Sequence, residues 1–238
     1  LPKTAFRFHL LIEKTDYTPG IFAKYAEKYV HLQNIRQDKL TNYRLINFQL
    51  SQTGVRDTSK CFIVNLKGKS ATSEIKLSDD GVLLSVNDTP MVVKTHKPFV
   101  AATKKHPVDP MRFLCEEALA AGSMAKKAEL TALQMAELKE HRQLLITGEA
   151  EEMPSDRAQL QLMLDEIDMT YDALMSLFTG VTECDTTEQT FTLCPDKEMK
   201  REVIFRISKL QGLADKDDLS GIPFYLTLED LHQQSQQQ

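Results

Sequence analysis

Apolar and polar residues alternate along the start of the chain. From Phe6 to Ile12 the even-numbered positions are all apolar, and this period of two predicts a half-buried strand over residues 4–15. The spacing of apolar residues then lengthens to the three and four residues of a helix. Thr18 is a suitable N-cap and Pro19 suits the first helical position, so we expect an amphipathic helix over residues 18–33.

Alternation returns between residues 42 and 93 in short runs, which include Phe48, Val64 and residues 75–77. The turn signal in this region is Ser78–Gly81, because a glycine after aspartate tolerates the positive φ of a tight hairpin. These runs predict a meander of roughly four or five short strands, with the preceding helix covering one face.

The longest regular pattern predicts a pair of helices. Residues 123–147 carry one apolar stripe at helical spacing and are followed by Gly148, a common residue just beyond a helix end. A second stripe begins after Ser155, a natural N-cap, and continues to Phe178. The acidic link 148–154 is short, which favours two antiparallel helices that pack on each other.

Both long helices also carry apolar residues away from their main stripes. These are Leu130, Leu133 and Leu144 in the first helix, and Leu162, Met169, Ala173 and Leu177 in the second. A helix whose whole back face meets water should lack such residues, so this second face needs an occupant. The occupant is either the protein's own sheet or another molecule, which could be a second copy or a partner protein. All of these residues except Leu177 form the predicted partner interface.

Strand patterns resume after the second helix. Alternation around Phe191 and Phe205, and the short run 222–228, predict C-terminal strands. Residues 212–221 form an acidic loop, in which a calcium site is disfavoured because the EF-hand spacing and its closing glutamate are missing.

These elements together predict an α+β fold. It comprises N-terminal antiparallel strands with one covering helix, a long antiparallel helical hairpin, and then C-terminal strands. Prolines concentrate in 96–110, which we interpret as a linker between an N-terminal α+β domain over 1–95 and a second domain over 111–231. The glutamine-rich residues 232–238 are expected to be a frayed tail.

Composition narrows the classes of function. The net charge of −5 and scattered basic residues argue against nucleic-acid binding, which requires a basic face. No apolar run approaches the length of a transmembrane helix. Because the sequence begins at Leu1 and not at Met, we expect that a preceding segment was removed, either as a signal peptide or by trimming.

No catalytic, nucleotide or metal motif is recognisable, so we expect no cofactor. The six histidines never lie at metal-ligand spacing from each other or from cysteine. Arg142 is unusual because it projects into an apolar stripe. It could pair with Asp165, Asp168 or a neighbouring carboxylate, or it could form an anion site. Cys184 and Cys194 could form a local disulfide, although free thiols are favoured.

Several sequence segments resemble one family of domains of unknown function from anaerobic gut bacteria. The resemblance covers nearly the whole chain and rests on residues 1–5, 13–15, 17–20, 22–26, 78–83, 125–129, 144–149 and 177–180. It implies no activity, because the family is uncharacterised. Its members carry a signal sequence, which implies export to the periplasm or cell envelope.

We therefore expect an exported, non-catalytic binding or structural module that uses the helical hairpin as its interface. The competing hypothesis is a hydrolase that acts on a glycan or peptide with a site assembled from distant residues. A pocket with converging carboxylates or histidines near Arg142 would favour the hydrolase.

Overall fold

The computed structural model describes residues 2–59, 75–79, 81–86, 97–99 and 108–229. It has the predicted α+β class. The strands are β1 (Pro2–Thr18), β2 (Leu40–Arg56), β3 (Ile75–Leu77), β4 (Leu83–Val86), β5 (Val181–Leu193), β6 (Met199–Ser208), β7 (Gly212–Ala214) and β8 (Ile222–Leu228). The α-helices are α1 (Ala26–Val30), α2 (Glu116–Ala120), α3 (Met124–Thr147) and α4 (Arg157–Thr179), with 3₁₀ turns at Ala23–Tyr25 and Pro110–Phe113.

The strands form three sheets. One has the order β2-β1-β5, a second pairs β3 with β4, and a third has the order β7-β6-β8. The pairs β3–β4, β6–β7 and β6–β8 are antiparallel. The predicted turn between β3 and β4 is present, with Gly81 at φ 73°. The predicted strand around Val64 lies outside the described residues.

The chain divides into two compact units, each built from segments that are far apart in sequence. Unit 1 comprises 1–14, 42–102 and 185–238, and unit 2 comprises 15–41 and 103–184. Three of the four boundaries between the units fall inside strands, namely β1, β2 and β5. The sequential division into 1–95, 96–110, 111–231 and 232–238 stays a prediction, because most of the linker and the whole tail lie outside the described residues.

The core of unit 1 lies between strands. Leu10 and Ile12 of β1 pack with Phe205 and Ile207 of β6. Stacked aromatic rings extend this core, since the ring centroids of Phe205 and Phe224 are 4.7 Å apart. On β2, by contrast, alternate apolar residues point outward, and the side chain of Phe48 is 60% exposed.

The core of unit 2 is mainly helical. Its fully buried members include Phe22, Ala128, Leu174 and Phe178, and α1 and α2 contribute Ala26 and Ala118. The aromatic rings of Phe22 and Phe178 meet at a centroid distance of 5.4 Å. The hairpin of α3 and α4 is therefore covered on one side by shorter helices of its own unit.

The helix predicted over 18–33 is wrong in its extent. Thr18 ends a strand, and only the 3₁₀ turn and α1 are helical. The reason is that the backbone around Gly20 docks against the last turn of α4: the Phe22 N–H donates to the Leu177 carbonyl at 2.7 Å. Because α4 already supplies an acceptor for the Phe22 N–H, that group does not need the Thr18 side chain as a cap.

The start of each long helix is capped by a side chain, and α3 ends at a glycine. Ser123 Oγ accepts from the Lys126 N–H at 3.2 Å, and Gly148 adopts φ 77° after α3, as the sequence predicts. The predicted cap of α4 is wrong by one residue, because Asp156 Oδ1 accepts from the Gln159 N–H at 2.8 Å. Ser155 instead donates its N–H and hydroxyl to Gln159 Oε1.

Candidate functional site

The predicted interface residues divide into exposed and half-buried groups. Leu133, Leu162 and Met169 are 54%, 69% and 42% exposed. Leu130, Leu144 and Ala173 are half-buried, and Leu130 packs against the core of unit 2. Leu177 is only 3% exposed, since the segment around Phe22 covers it. Their own unit therefore covers part of the second apolar face and leaves the rest open to solvent.

Three of the predicted interface residues share one side of α4. At ~100° per residue, Leu162, Met169 and Ala173 lie within roughly 40° of one another. Leu174 and Phe178, which are fully buried, lie on the opposite side. We call the side that Leu162, Met169 and Ala173 share the outer face of α4.

The outer face of α4 is acidic as well as apolar. Asp165, Glu166 and Asp172 are exposed beside it, and no lysine or arginine occurs in 158–179. Gln161 Nε2 donates to Asp165 Oδ1 at 2.7 Å, which aligns that carboxylate along the helix surface. An apolar centre flanked by negative charges favours partners whose apolar surface is flanked by positive charges.

Arg142 forms an ion pair between the two long helices. Its Nε and Nη2 donate to the two carboxylate oxygens of Asp168 at 2.6 and 3.1 Å. This side-chain hydrogen bond lowers the pKa of Asp168 and raises the pKa of Arg142. The sequence allowed either an ion pair or an anion site at Arg142. In the structure its guanidinium binds the Asp168 carboxylate of the neighbouring helix. The pair joins α3 to α4 through two charge-assisted hydrogen bonds at the helix surface.

No metal site is assembled in the part of the chain that the structure describes. Within those residues, no three His, Cys, Asp or Glu side chains are grouped so as to hold a metal ion. Cys115, Cys184 and Cys194 are free cysteines. No helix within the described ranges is long and apolar enough to cross a membrane.

A polar arrangement in unit 1 was not found from the sequence. Nε2 of His9 on β1 lies 3.5 Å from Ser51 Oγ on β2, and its Nδ1 lies 3.2 Å from Glu188 Oε1 on β5. Strand order brings them together, because β1 lies between β2 and β5. His9 appears in the sequence only as one polar position of an alternating strand, so no local pattern could have identified it.

An open cavity lies near this arrangement. It has a volume of about 650 Å³ and is lined by Arg7, residues 53–56, Asp79 and Gly81. Arg7 also provides the carbonyl that Ser51 Oγ approaches at 3.4 Å. The cavity thus begins beside the strand positions that carry Ser51 and His9.

The comparisons with known proteins place the chain in a family. Neither a curated protein nor a solved structure matches the chain. One family model matches residues 1–238, the full length that the sequence resemblance nearly covered. The chain therefore belongs to the family described as "Domain of unknown function (DUF4831)".

Proposed function

We propose that the chain is an interaction module that binds a partner protein through the outer face of α4. The observation that carries the proposal is the exposure of Leu162, whose side chain is 69% exposed at the centre of this face. Met169 adds a second exposed and adaptable apolar contact about two turns along the helix. Binding through this face requires no catalytic group.

The charge of the face indicates the chemistry of the partner. Asp165, Glu166 and Asp172 are uncompensated by any basic residue in 158–179. Two copies that met through this face would bring like charges together, which costs several kcal/mol when desolvated. The fitting partner is therefore an amphipathic segment with an apolar stripe flanked by lysine or arginine, as in helix-in-groove recognition.

A model peptide tests the surface directly. The probe is a synthetic helical peptide of about 18 residues with leucines along one face and lysines beside them. We expect saturable binding by fluorescence anisotropy, weakened about tenfold or more by Leu162→Ser, because a buried leucine contributes about 1.5–3 kcal/mol. Leu219→Ser is the matched control, since Leu219 is 82% exposed and lies in unit 1.

Two results would contradict the proposal. Equal affinity of the wild type and Leu162→Ser would show that the outer face of α4 is not the contact surface. Light scattering after size-exclusion chromatography should give a monomer. A dimer that Leu162→Ser dissociates would identify a second copy as the occupant and refute the basic partner.

We also propose that the protein acts in the periplasm or cell envelope. The support is the resemblance to exported proteins, and it is independent of the interface. Cell fractionation of the native host with an antibody to the protein tests it. Recovery with cytoplasmic markers alone would refute the location and leave the binding proposal unaffected.

A further inference from the structure

Three side chains on adjacent strands of unit 1 have the order of a nucleophilic triad. Ser51 Oγ lies 3.5 Å from His9 Nε2, and His9 Nδ1 lies 3.2 Å from Glu188 Oε1. We propose that Ser51 is a nucleophile, that His9 is its general base, and that Glu188 positions the imidazole, so that unit 1 carries an esterase site. The site gives the hydrolase hypothesis a definite location in unit 1, whereas Arg142 belongs to unit 2.

Burial fixes the orientation of the base. The side chain of His9 is only 8% exposed, which holds its ring between the neighbouring strands. Glu188 is held in turn, because its second oxygen accepts the Phe99 N–H at 3.3 Å. A carboxylate that accepts from Nδ1–H leaves Nε2 without a proton and directed at Ser51, which is the tautomer that a general base requires.

The 3.5 Å between Ser51 Oγ and His9 Nε2 is a long hydrogen bond, of the kind that shortens in a reacting complex. Hydrogen bonds between nucleophile and base are often long in the absence of substrate and tighten in the reacting complex. The Ser51 hydroxyl also lies 3.4 Å from the Arg7 carbonyl, so it has two acceptors at similar range. Rotation of the hydroxyl about its Cβ–Oγ bond directs the proton to His9 Nε2 instead of the Arg7 carbonyl.

The reaction balances with these groups and water alone. Ser51 Oγ attacks the carbonyl carbon of an ester, and the hydroxyl proton passes to His9 Nε2. The imidazolium returns that proton to the leaving alkoxide as the ester C–O bond breaks. Water, deprotonated by the same nitrogen, then adds to the acyl carbon. The bond between the acyl carbon and Ser51 Oγ breaks, the imidazolium returns its proton to Oγ, and the carboxylic acid leaves with the Ser51 hydroxyl restored.

The adjacent cavity indicates the class of ester. Arg7 and Arg56 line it together with Asp79, so its charged lining is positive on balance. Thr53, which also lines the cavity, lies two residues after Ser51 on β2, at ~7 Å. An acyl group that carries a carboxylate therefore fits the cavity better than a neutral one, because arginine recognises carboxylates with paired hydrogen bonds.

Covalent labelling tests the nucleophile. We expect a fluorophosphonate probe to modify the folded wild type, with loss of fluoride and an adduct that mass spectrometry locates on Ser51. Ser51→Ala should abolish that adduct, and His9→Gln should slow labelling by on the order of 100-fold or more. Ser59→Ala is the matched control. The Ser59 hydroxyl donates directly to the Asp57 carboxylate at 2.6 Å and, within the described residues, has no histidine as a base, so this variant should be labelled at Ser51 like the wild type.

Two further measurements separate catalysis from a structural role. Glu188→Gln should slow labelling while circular dichroism shows the native fold, and unchanged labelling would refute the positioning role of Glu188. The wild type should hydrolyse the mono-p-nitrophenyl ester of succinic acid faster than p-nitrophenyl acetate, and the reverse order would refute the carboxylate preference. A folded wild type without an adduct on Ser51 overturns the proposal as a whole.

Discussion

Gly20 lies where the chain leaves β1 and passes the last turn of α4. A Cβ atom at this position would overlap the Leu177 carbonyl oxygen, lie 2.5 Å from its carbonyl carbon and lie 2.7 Å from the Ser176 oxygen. All three neighbours are backbone atoms, so they cannot rotate away as a flexible side chain can. We therefore predict that Gly20→Ala destabilises the protein strongly.

The magnitude follows from two losses. Forcing one extra methyl into a close-packed contact costs about 1–3 kcal/mol. Displacing the Leu177 carbonyl also stretches its 2.7 Å hydrogen bond from Phe22, which removes about 0.5–1.5 kcal/mol more. The two losses together are about 1.5–4.5 kcal/mol, which is a large part of the stability of an ordinary domain.

Urea denaturation followed by far-ultraviolet circular dichroism measures this loss. Gly122→Ala is the matched control, because among the described residues no atom beyond its chain neighbours lies within 4 Å of the added Cβ. It should leave the free energy of unfolding within about 1 kcal/mol of wild type. If Gly20→Ala and Gly122→Ala have equal free energies of unfolding, the close approach of residue 20 to α4 does not exist.

Two further predictions concern the hairpin. The lowered pKa of Asp168 means that its ion pair with Arg142 stabilises the fold above the usual carboxyl value of 3.8, and that this contribution is lost as the pH falls through the lowered pKa. Asp168→Asn should therefore lower stability near neutral pH and flatten the acid limb of a titration of unfolding free energy, whereas an unchanged limb would exclude the linkage. Asp156→Ala should cost about 0.5–2 kcal/mol by urea denaturation, because it removes the cap of α4. Ser155→Ala should lower the free energy of unfolding by less than Asp156→Ala does. A larger loss for Ser155→Ala would show that Ser155 is the N-cap of α4.

Local patterns were sufficient to predict the hairpin and the first strand. Both depend on periodicities within one element, and the glycine after α3 marks its end through its own backbone preference. The helix after β1 was predicted too long for a physical reason. Phe22, Tyr25 and Tyr29 have helical spacing because they pack into the same core as α4, and this spacing does not indicate where the helix begins.

Contacts between distant segments could not be predicted from local sequence patterns. Leu133 and Leu144 have the same apolar character and similar angular positions, but Leu144 is half-buried and Leu133 is exposed. Periodicity reports which side of a helix a residue occupies and not what the rest of the chain places there. The grouping of Ser51, His9 and Glu188 depends likewise on the strand order β2-β1-β5, which no single segment encodes.

β1, β2 and β5, which all cross from one unit to the other, form one sheet from distant parts of the chain, and this limits when the protein can fold. β1 and its neighbour β5 are about 170 residues apart, and a ribosome needs about 10–30 s to synthesise that length. During this interval one edge of β1 lacks its partner, and an unpaired strand edge is a template for aggregation. Folding of the three-stranded sheet must therefore be completed after most of the chain has been made, and a chain that stops before Val181 cannot complete it.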